Sequence, residues 1–270
     1  MNFKVIFPEK HLANYVRFFW FAEGNASINQ PYIHNAFAYT YPEFSFCYKG
    51  QFHYNCGSGF ETTLFPGIYG QTQTFSKVNS KSEFGIFGFY LYAHALPQLF
   101  HLPANELTDQ AVDTKTLFGK QGEILEEKIM LASGNYERVR IVSGFLEEKL
   151  KNARINCTNI ISSIMAISNS CPTDSIKSLA ENSFLSVRQF ERRFKEFTGF
   201  RPKLFFRIRR FNSLLNKSFE GKSLAQIAYE YGYYDQSHFI HDFKNFSGYN
   251  PGDYFDQKTI AATDRGTVEY

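Results

Sequence analysis

Two sets of polar side chains, each backed by a phenylalanine stripe, carry the chemistry legible in this 270-residue chain. In the first, Arg188, Arg192 and Lys195 alternate with Phe190, Phe194 and Phe197. At about 100° per residue the three phenylalanines fall within roughly 60° of one another, so a helix would bury them together. The cations then face outward, with Glu191 at their edge. In the second set Phe239, Phe243 and Phe246 form the stripe, while Ser237, His241 and Lys244 face outward with Ile240 at the edge. Arg and Lys suit guanine edges and phosphates, Ser and His hydrogen-bond to bases, and an exposed Ile fits a thymine methyl. The plainer reading is an ordinary helical pair with a charged surface.

Self-similarity favours the first reading. Ile176 to Phe205 aligns with Leu224 to Phe255, so that Leu179-Ala180 matches Ile227-Ala228, and Gly199 and Pro202 match Gly248 and Pro251. Each copy reads as a short helix, a turn and a longer helix that Gly closes before Pro restarts the chain. Between the copies, Pro202 to Lys217 reads as one continuous helix with Pro in its first turn, about 24 Å long. That rod would let two recognition helices sit about 34 Å apart, one duplex turn. Arg207, Arg209 and Arg210 on the rod, with Lys195 and Lys244, are the expected phosphate contacts. Charge agrees: residues 1 to 169 hold 14 basic and 14 acidic side chains, whereas Arg188 to Arg210 holds nine Lys or Arg against two Glu. A concentrated positive face releases counterions from a phosphate backbone.

Leu224-Ala225-Gln226-Ile227-Ala228, Tyr231-Gly232-Tyr233, Asp235-Gln236-Ser237-His238-Phe239, Phe243-Lys244, Gly248 and Pro251 together resemble the signature of the AraC/XylS family of bacterial transcriptional regulators. The first copy, with Leu179-Ala180, Ser186, Phe190, Arg192-Arg193-Phe194-Lys195 and Thr198-Gly199, is similar to that family's first helix-turn-helix. The resemblance covers residues 173 to 256. It implies base contacts from Arg188, Glu191 and Arg192, then from Gln236, Ser237, Ile240 and His241. His241 stands where many relatives have Arg, which removes a bidentate guanine contact and would make binding mildly pH-sensitive. The resemblance also implies promoter DNA and RNA polymerase as partners, a small-molecule effector, and activation rather than repression.

The first half has a different grammar. Of 49 aromatic residues, 26 lie in the first hundred, mostly in alternating runs such as Phe44-Ser45-Phe46-Cys47-Tyr48 and Phe84-Gly85-Ile86-Phe87-Gly88-Phe89. With Gly, Pro, Asn and Ser punctuation these read as about eight antiparallel strands, a small sandwich or barrel. The first 150 residues also resemble the cupin-like sensor domains found ahead of this DNA-binding module, and LPANELTD is similar to one subgroup. Trp20, Tyr39, Tyr48 and Tyr90 are candidates for effector contact. Two amphipathic helices follow: Leu125, Ile129 and Ala132 form one stripe, and Val139, Val142, Leu146 and Leu150 another. They read either as core or as a dimerisation hairpin over 122–151.

The expected fold class is α+β in two domains: an N-terminal antiparallel β-sandwich or barrel with a helical appendage, then an all-α double helix-turn-helix. The boundaries are 1–165 (β-rich to about 92, helical 93–165), 166–257, and a frayed tail at 258–270. Four scattered cysteines (Cys47, Cys56, Cys157, Cys171) make no disulfide framework. No apolar run reaches the roughly 18 residues that a membrane span needs, and a cytoplasmic protein is expected. His34, His53, His94 and His101 lack metal-ligand spacing, and no P-loop, dinucleotide fingerprint or nucleophile elbow is present. No cofactor, no metal and no catalysis are therefore expected. Two other readings stay open: an architectural or protein-binding helix-turn-helix protein without sequence readout and, ranked last, a cupin-type metalloenzyme.

Overall fold

The computed structural model describes residues 1–55, 61–153, 158–169, 175–215, 217, 219 and 221–260. Cys56, Cys157 and Cys171, the interdomain segment 170–174 and residues 261–270 of the expected tail lie outside the described residues.

The strands are β1 (Asn2–Ile6), β2 (Val16–Gly24), β3 (Tyr32–Ala36), β4 (Glu43–Lys49), β5 (His53–Asn55), β6 (Thr62–Thr63), β7 (Gly67–Tyr69), β8 (Ser76–Ser80), β9 (Phe84–Leu91) and β10 (Ala111–Asp113). They form two antiparallel sheets, in the order β1-β2-β9-β4-β7-β10 and β3-β8-β5-β6. One strand, β10, lies beyond the expected end of the β region near Tyr92. Period-two geometry splits the larger sheet. Phe19, Phe21, Phe44, Phe46, Phe87 and Phe89 lie on one face and are buried in a single cluster with Leu96, Leu99, Leu125, Ile129, Val142 and Leu146. Burial of each such ring is worth about 2 kcal/mol. The opposite face presents Trp20, Glu43, Ser45, Ile86 and Tyr90 to the smaller sheet across a cavity. With both faces covered, β9 reads as an almost unbroken apolar run. A Cβ at Gly88 would lie 2.7 Å from the Trp20 ring, so a glycine there makes room for the indole.

The helices are α1 (Ala95–Phe100), α2 (Thr114–Phe118), α3 (Lys120–Leu131), α4 (Asn135–Lys151), α5 (Thr158–Asn169), α6 (Ile176–Asn182), α7 (Val187–Thr198), α8 (Pro202–Asn212), α9 (Leu224–Glu230), α10 (Gln236–Ser247) and α11 (Pro251–Ile260). The inner stripes of α3 and α4 are spent on the sheet. Their outer surface exposes Ile124, Leu131 and Tyr136. In α5, Ile160, Ile164 and Ile167 recur at helical spacing and are buried with Phe190, Phe194 and Phe205. This helix thus packs with the C-terminal core, and the boundary expected between 165 and 166 falls inside it.

Both copies of the repeat use the same local devices. Ser175 and Ser223 cap the first helices, α6 and α9, and Ser186 and Asp235 cap the second, α7 and α10, each side chain accepting from a backbone N–H. Gly199 and Gly248 end α7 and α10 at φ +81° and +77°, a region where a side chain is strained. The connecting helix is shorter than expected. It stops at Asn212, the Ser213 hydroxyl bonds back to the Arg210 carbonyl, and Leu214 and Leu215 continue in tighter three-residue turns. Eleven residues give about 16 Å rather than 24 Å.

The two halves touch along the ends of the recognition helices. The Ala38 N–H donates to the Phe246 carbonyl at 2.9 Å, and Asn212 Nδ2 donates to the Ala38 carbonyl at 3.0 Å. Phe37 meets the rings of Phe211, Tyr249 and Tyr254. The Thr108 hydroxyl donates to the Gly199 carbonyl at 3.1 Å, and the Phe75 ring lies against Gly248.

Candidate nucleic-acid interface

Phe190, Phe194 and Phe197 are buried on α7, while Arg188, Arg192 and Lys195 are exposed and Glu191 is half-buried. On α10, Phe239, Phe243 and Phe246 are buried, Gln236, Ser237, His241 and Lys244 are exposed, and Ile240 is half-buried. Each helix begins at a side-chain cap, Ser186 or Asp235, whose oxygen accepts from the backbone. The uncapped N–H groups of a first turn, with the helix dipole, favour an approaching phosphate. The two helices therefore offer the same arrangement twice: a buried phenylalanine stripe on one face, exposed polar side chains on the other, and a side-chain cap at the start.

The arginines of α8 are placed differently from expectation. Arg207 forms a two-point pair with Asp242, Nε to Oδ2 at 3.1 Å and a second bond at 2.5 Å to Oδ1, and lies over the Phe246 ring. The carboxylate holds the guanidinium pKa above its usual value. Arg209 lies over Tyr41 of the first half at 5.6 Å, and Arg210 over Tyr233 at 4.9 Å. These three side chains are half-buried, each lying over a ring of another element, Phe246, Tyr41 or Tyr233. Lys195 and Lys244 are the expected phosphate-contact residues that face solvent.

Two features escaped sequence reasoning. Asp242 is fully buried beside Phe243, and a carboxylate on the apolar side of a helix was the available signal for a paired cation. Phe184 and Tyr234 sit in the turns that precede the recognition helices, 86% and 93% exposed. Large aromatics where a turn usually carries polar residues mark a surface suited to stacking on sugars or bases.

The cavity between the sheets encloses about 450 Å³. Of the effector candidates, Trp20, Tyr39 and Tyr90 line it. Tyr48 lies on the other face, beneath the Arg138 guanidinium, and donates to Glu23 at 2.6 Å. Sequence reasoning missed Glu43, which sits on the cavity wall opposite Tyr69 and Tyr90 in the register of β4. Burial pushes its pKa up to about 7 despite hydrogen bonds from Tyr90 and Ser45. Asn212 and Leu215, from the C-terminal half, complete the wall. No group of three or more metal-ligating side chains occurs among the described residues, and no described helix is long and apolar enough to cross a membrane.

Residues 179–257 match a helix-turn-helix domain family, and residues 4–113 match a domain family of unknown function. Among solved structures, ToxT from Vibrio cholerae is similar over 88% of this chain and 98% of its own, with 14% identity and a TM-score of 0.46. The DNA-binding domain of the global transcriptional factor AdpA, solved in complex with a target DNA, is similar over 38% of this chain and 94% of its own, with 22% identity and a TM-score of 0.33. A transcriptional regulator with an AraC-type DNA-binding domain from Chromobacterium violaceum covers 38% of this chain and 95% of its own, with 24% identity and a TM-score of 0.33. No curated protein matches the chain.

Proposed function

From the match of residues 179–257 to a helix-turn-helix domain family, we propose that the protein is a ligand-responsive, sequence-specific DNA-binding transcriptional regulator of the AraC/XylS type. The observation that carries this reading is the duplicated recognition face, where α7 and α10 each bury a phenylalanine stripe and expose the opposite side. In this reading Arg188, Glu191 and Arg192 contact bases in one major groove, and Gln236, Ser237, Ile240 and His241 do so in the next. Lys195 and Lys244 hold phosphates, and Phe184 and Tyr234 stack against the backbone sugars. The cavity in the β-domain takes the effector, and its wall residues Asn212 and Leu215 connect occupancy to the DNA-binding half.

The reading extends to a cytoplasmic protein that contacts RNA polymerase, does no catalysis, and self-associates through the outer surface of α3 and α4. The domain division belongs between Asn152 and Thr158, ahead of α5. Selection of sites from a random duplex library by the full chain, at near-physiological salt, tests the central claim. Two short enriched blocks about one helical turn apart support specific readout. Flat enrichment, with tight binding to every duplex, would instead favour the architectural reading.

A further inference from the structure

The effector cavity has a one-sided chemistry. Its lining carries the Glu43 carboxyl, with Asp109 at another part; Met1, with its α-amino group, is also a lining residue, and no Lys or Arg is among the described ones. Asp109 is already bonded by the backbone and side-chain amides of Gln73, at 2.8 and 2.6 Å. The guanidinium of Arg17 bonds the Tyr39 hydroxyl at 2.6 Å and stacks on Tyr41, but it does not line the cavity. A second acceptor, Asn212 Oδ1, belongs to a lining residue from the C-terminal half and is buried with no donor, its amide nitrogen being spent on Ala38. Rings surround these acceptors, among them Trp20, Tyr69 and Tyr90, and ring faces attract cations. The space between the sheets is apolar, closed by Ala22, Phe52, Phe84 and Ile86.

An anionic ligand would enter beside a carboxylate, with no Lys or Arg among the described lining residues to neutralise it. A neutral apolar ligand would add nothing to the bonds that Ser45 and Tyr90 already give the carboxyl, and would leave the orphan amide oxygen without a donor, at a cost. A ligand with a positive, N–H-bearing head and an apolar body supplies a counter-charge to the carboxyl and fills the apolar space between the sheets. We propose that this cavity binds a protonated amine, its ammonium group held at Glu43 and its apolar or aromatic body lying between the two sheets. The proposal rests on the ligand-responsive reading above and names the class of effector.

Ionisation of Glu43 sets the pH dependence. The groups facing it are Ser45 on its own strand, Tyr69 on β7, Tyr90 on β9 and Trp20 on β2, with Tyr54 and His34 on the smaller sheet. Burial raises the Tyr69 pKa and lowers that of His34, so both stay neutral near pH 7. The wall charge available to an amine thus appears as pH rises through about 7, where Glu43 ionises.

Three probes of one shape separate the alternatives: phenethylamine, 2-phenylethanol and 3-phenylpropionate, titrated into the full chain by calorimetry at pH 8 and pH 5.5. A size series of protonated amines, from methylamine to tryptamine, covers the fit. The expected result is at least tenfold tighter binding of the amine than of the alcohol at pH 8. That preference shrinks at pH 5.5 and is lost in Glu43→Gln. Preference for the carboxylate, equal binding of amine and alcohol, or no binding by any amine of the series would overturn the proposal. Should Glu43→Gln fail to fold, the pH dependence in the unmodified chain decides. Site selection on DNA is scored separately. Specific DNA binding without amine binding refutes only the ligand class, and Glu43-dependent amine binding without specific DNA binding refutes only the regulator reading.

Discussion

Replacing Glu43 with Gln should shift the stability of the β-domain in the variant's favour as pH rises from acid to alkaline. The folded-state pKa of about 7 lies above the ordinary 4.5 because burial strips water from the carboxylate. The folded state therefore keeps a proton that the unfolded chain releases between pH 4.5 and 7. Across that window stability falls as pH rises. A difference of about 2.5 units at 1.36 kcal/mol each sets an upper bound of about 3 kcal/mol, fully felt by pH 8. Water in the cavity and relaxation of Tyr90 and Ser45 reduce this to roughly 1–3 kcal/mol. Gln keeps the size and one acceptor but adds an amide donor beside the buried Trp20 Nε1, a pH-independent cost of about 1 kcal/mol. The quantity to read is thus the change in the mutant-minus-native difference between pH 4.5 and pH 8. Urea unfolding followed by fluorescence suits it, since the chain has one tryptophan, Trp20, on the cavity wall. Parallel stability profiles, differing by a constant to within about 0.5 kcal/mol, would refute the reasoning that burial destabilises the ionised carboxyl.

Further outcomes are expected in the C-terminal half. Arg192→Ala should cost about 1–3 kcal/mol of binding and relax preference at one base position, measured by competition against singly altered duplexes; an equal loss on all duplexes would contradict base readout. Lys195→Ala should lower the salt slope of binding by about one, whereas Arg209→Ala, whose side chain lies over Tyr41, should leave that slope unchanged. Asp242→Asn should destabilise the domain by roughly 2 kcal/mol or more by leaving Arg207 against an uncharged partner, read by chemical denaturation, and Arg207→Met in the same background should recover part of the loss.

Much of the C-terminal half was legible because one residue type carries the pattern. Phe190, Phe194 and Phe197, matched by Phe239, Phe243 and Phe246, fix which side of each helix is buried, and Gly199 and Gly248 mark where the helices stop. The extent of α8 was not legible. Apolar periodicity continues past Asn212 through Leu214 and Leu215, and the end of the helix shows only in the backbone, where Leu214 and Leu215 bond to Phe211 and Asn212 in three-residue turns. The roles of Arg207, Arg209 and Arg210 were hidden for a related reason. A guanidinium on a helix reads as exposed unless its partners are known, and those partners, Asp242, Tyr41 and Tyr233, are distant in sequence. In the β-domain, alternation identified strands but not which face holds a cavity, since aromatic residues line both sides. Glu43 was the one carboxylate within a run otherwise read as core, and the chemistry of that wall follows from it. The Ile160, Ile164 and Ile167 stripe, by contrast, was visible in the sequence and marks α5 as part of the C-terminal core.

Gly199 and Gly248 each answer to two constraints that belong to different parts of the chain. Backbone conformation requires a left-handed residue at both sites, a demand that Asn also meets at modest cost. The β-domain adds a second demand: a Cβ at Gly199 would overlap the Gln71 side chain, and one at Gly248 would lie 2.7 Å from the Phe75 ring. Evolutionary drift at these caps is thereby tied to drift in the loops around Gln71 and Phe75. A C-terminal half exchanged between relatives would arrive with caps fitted to a foreign β-domain, and the seam would have to be repaired at both places at once.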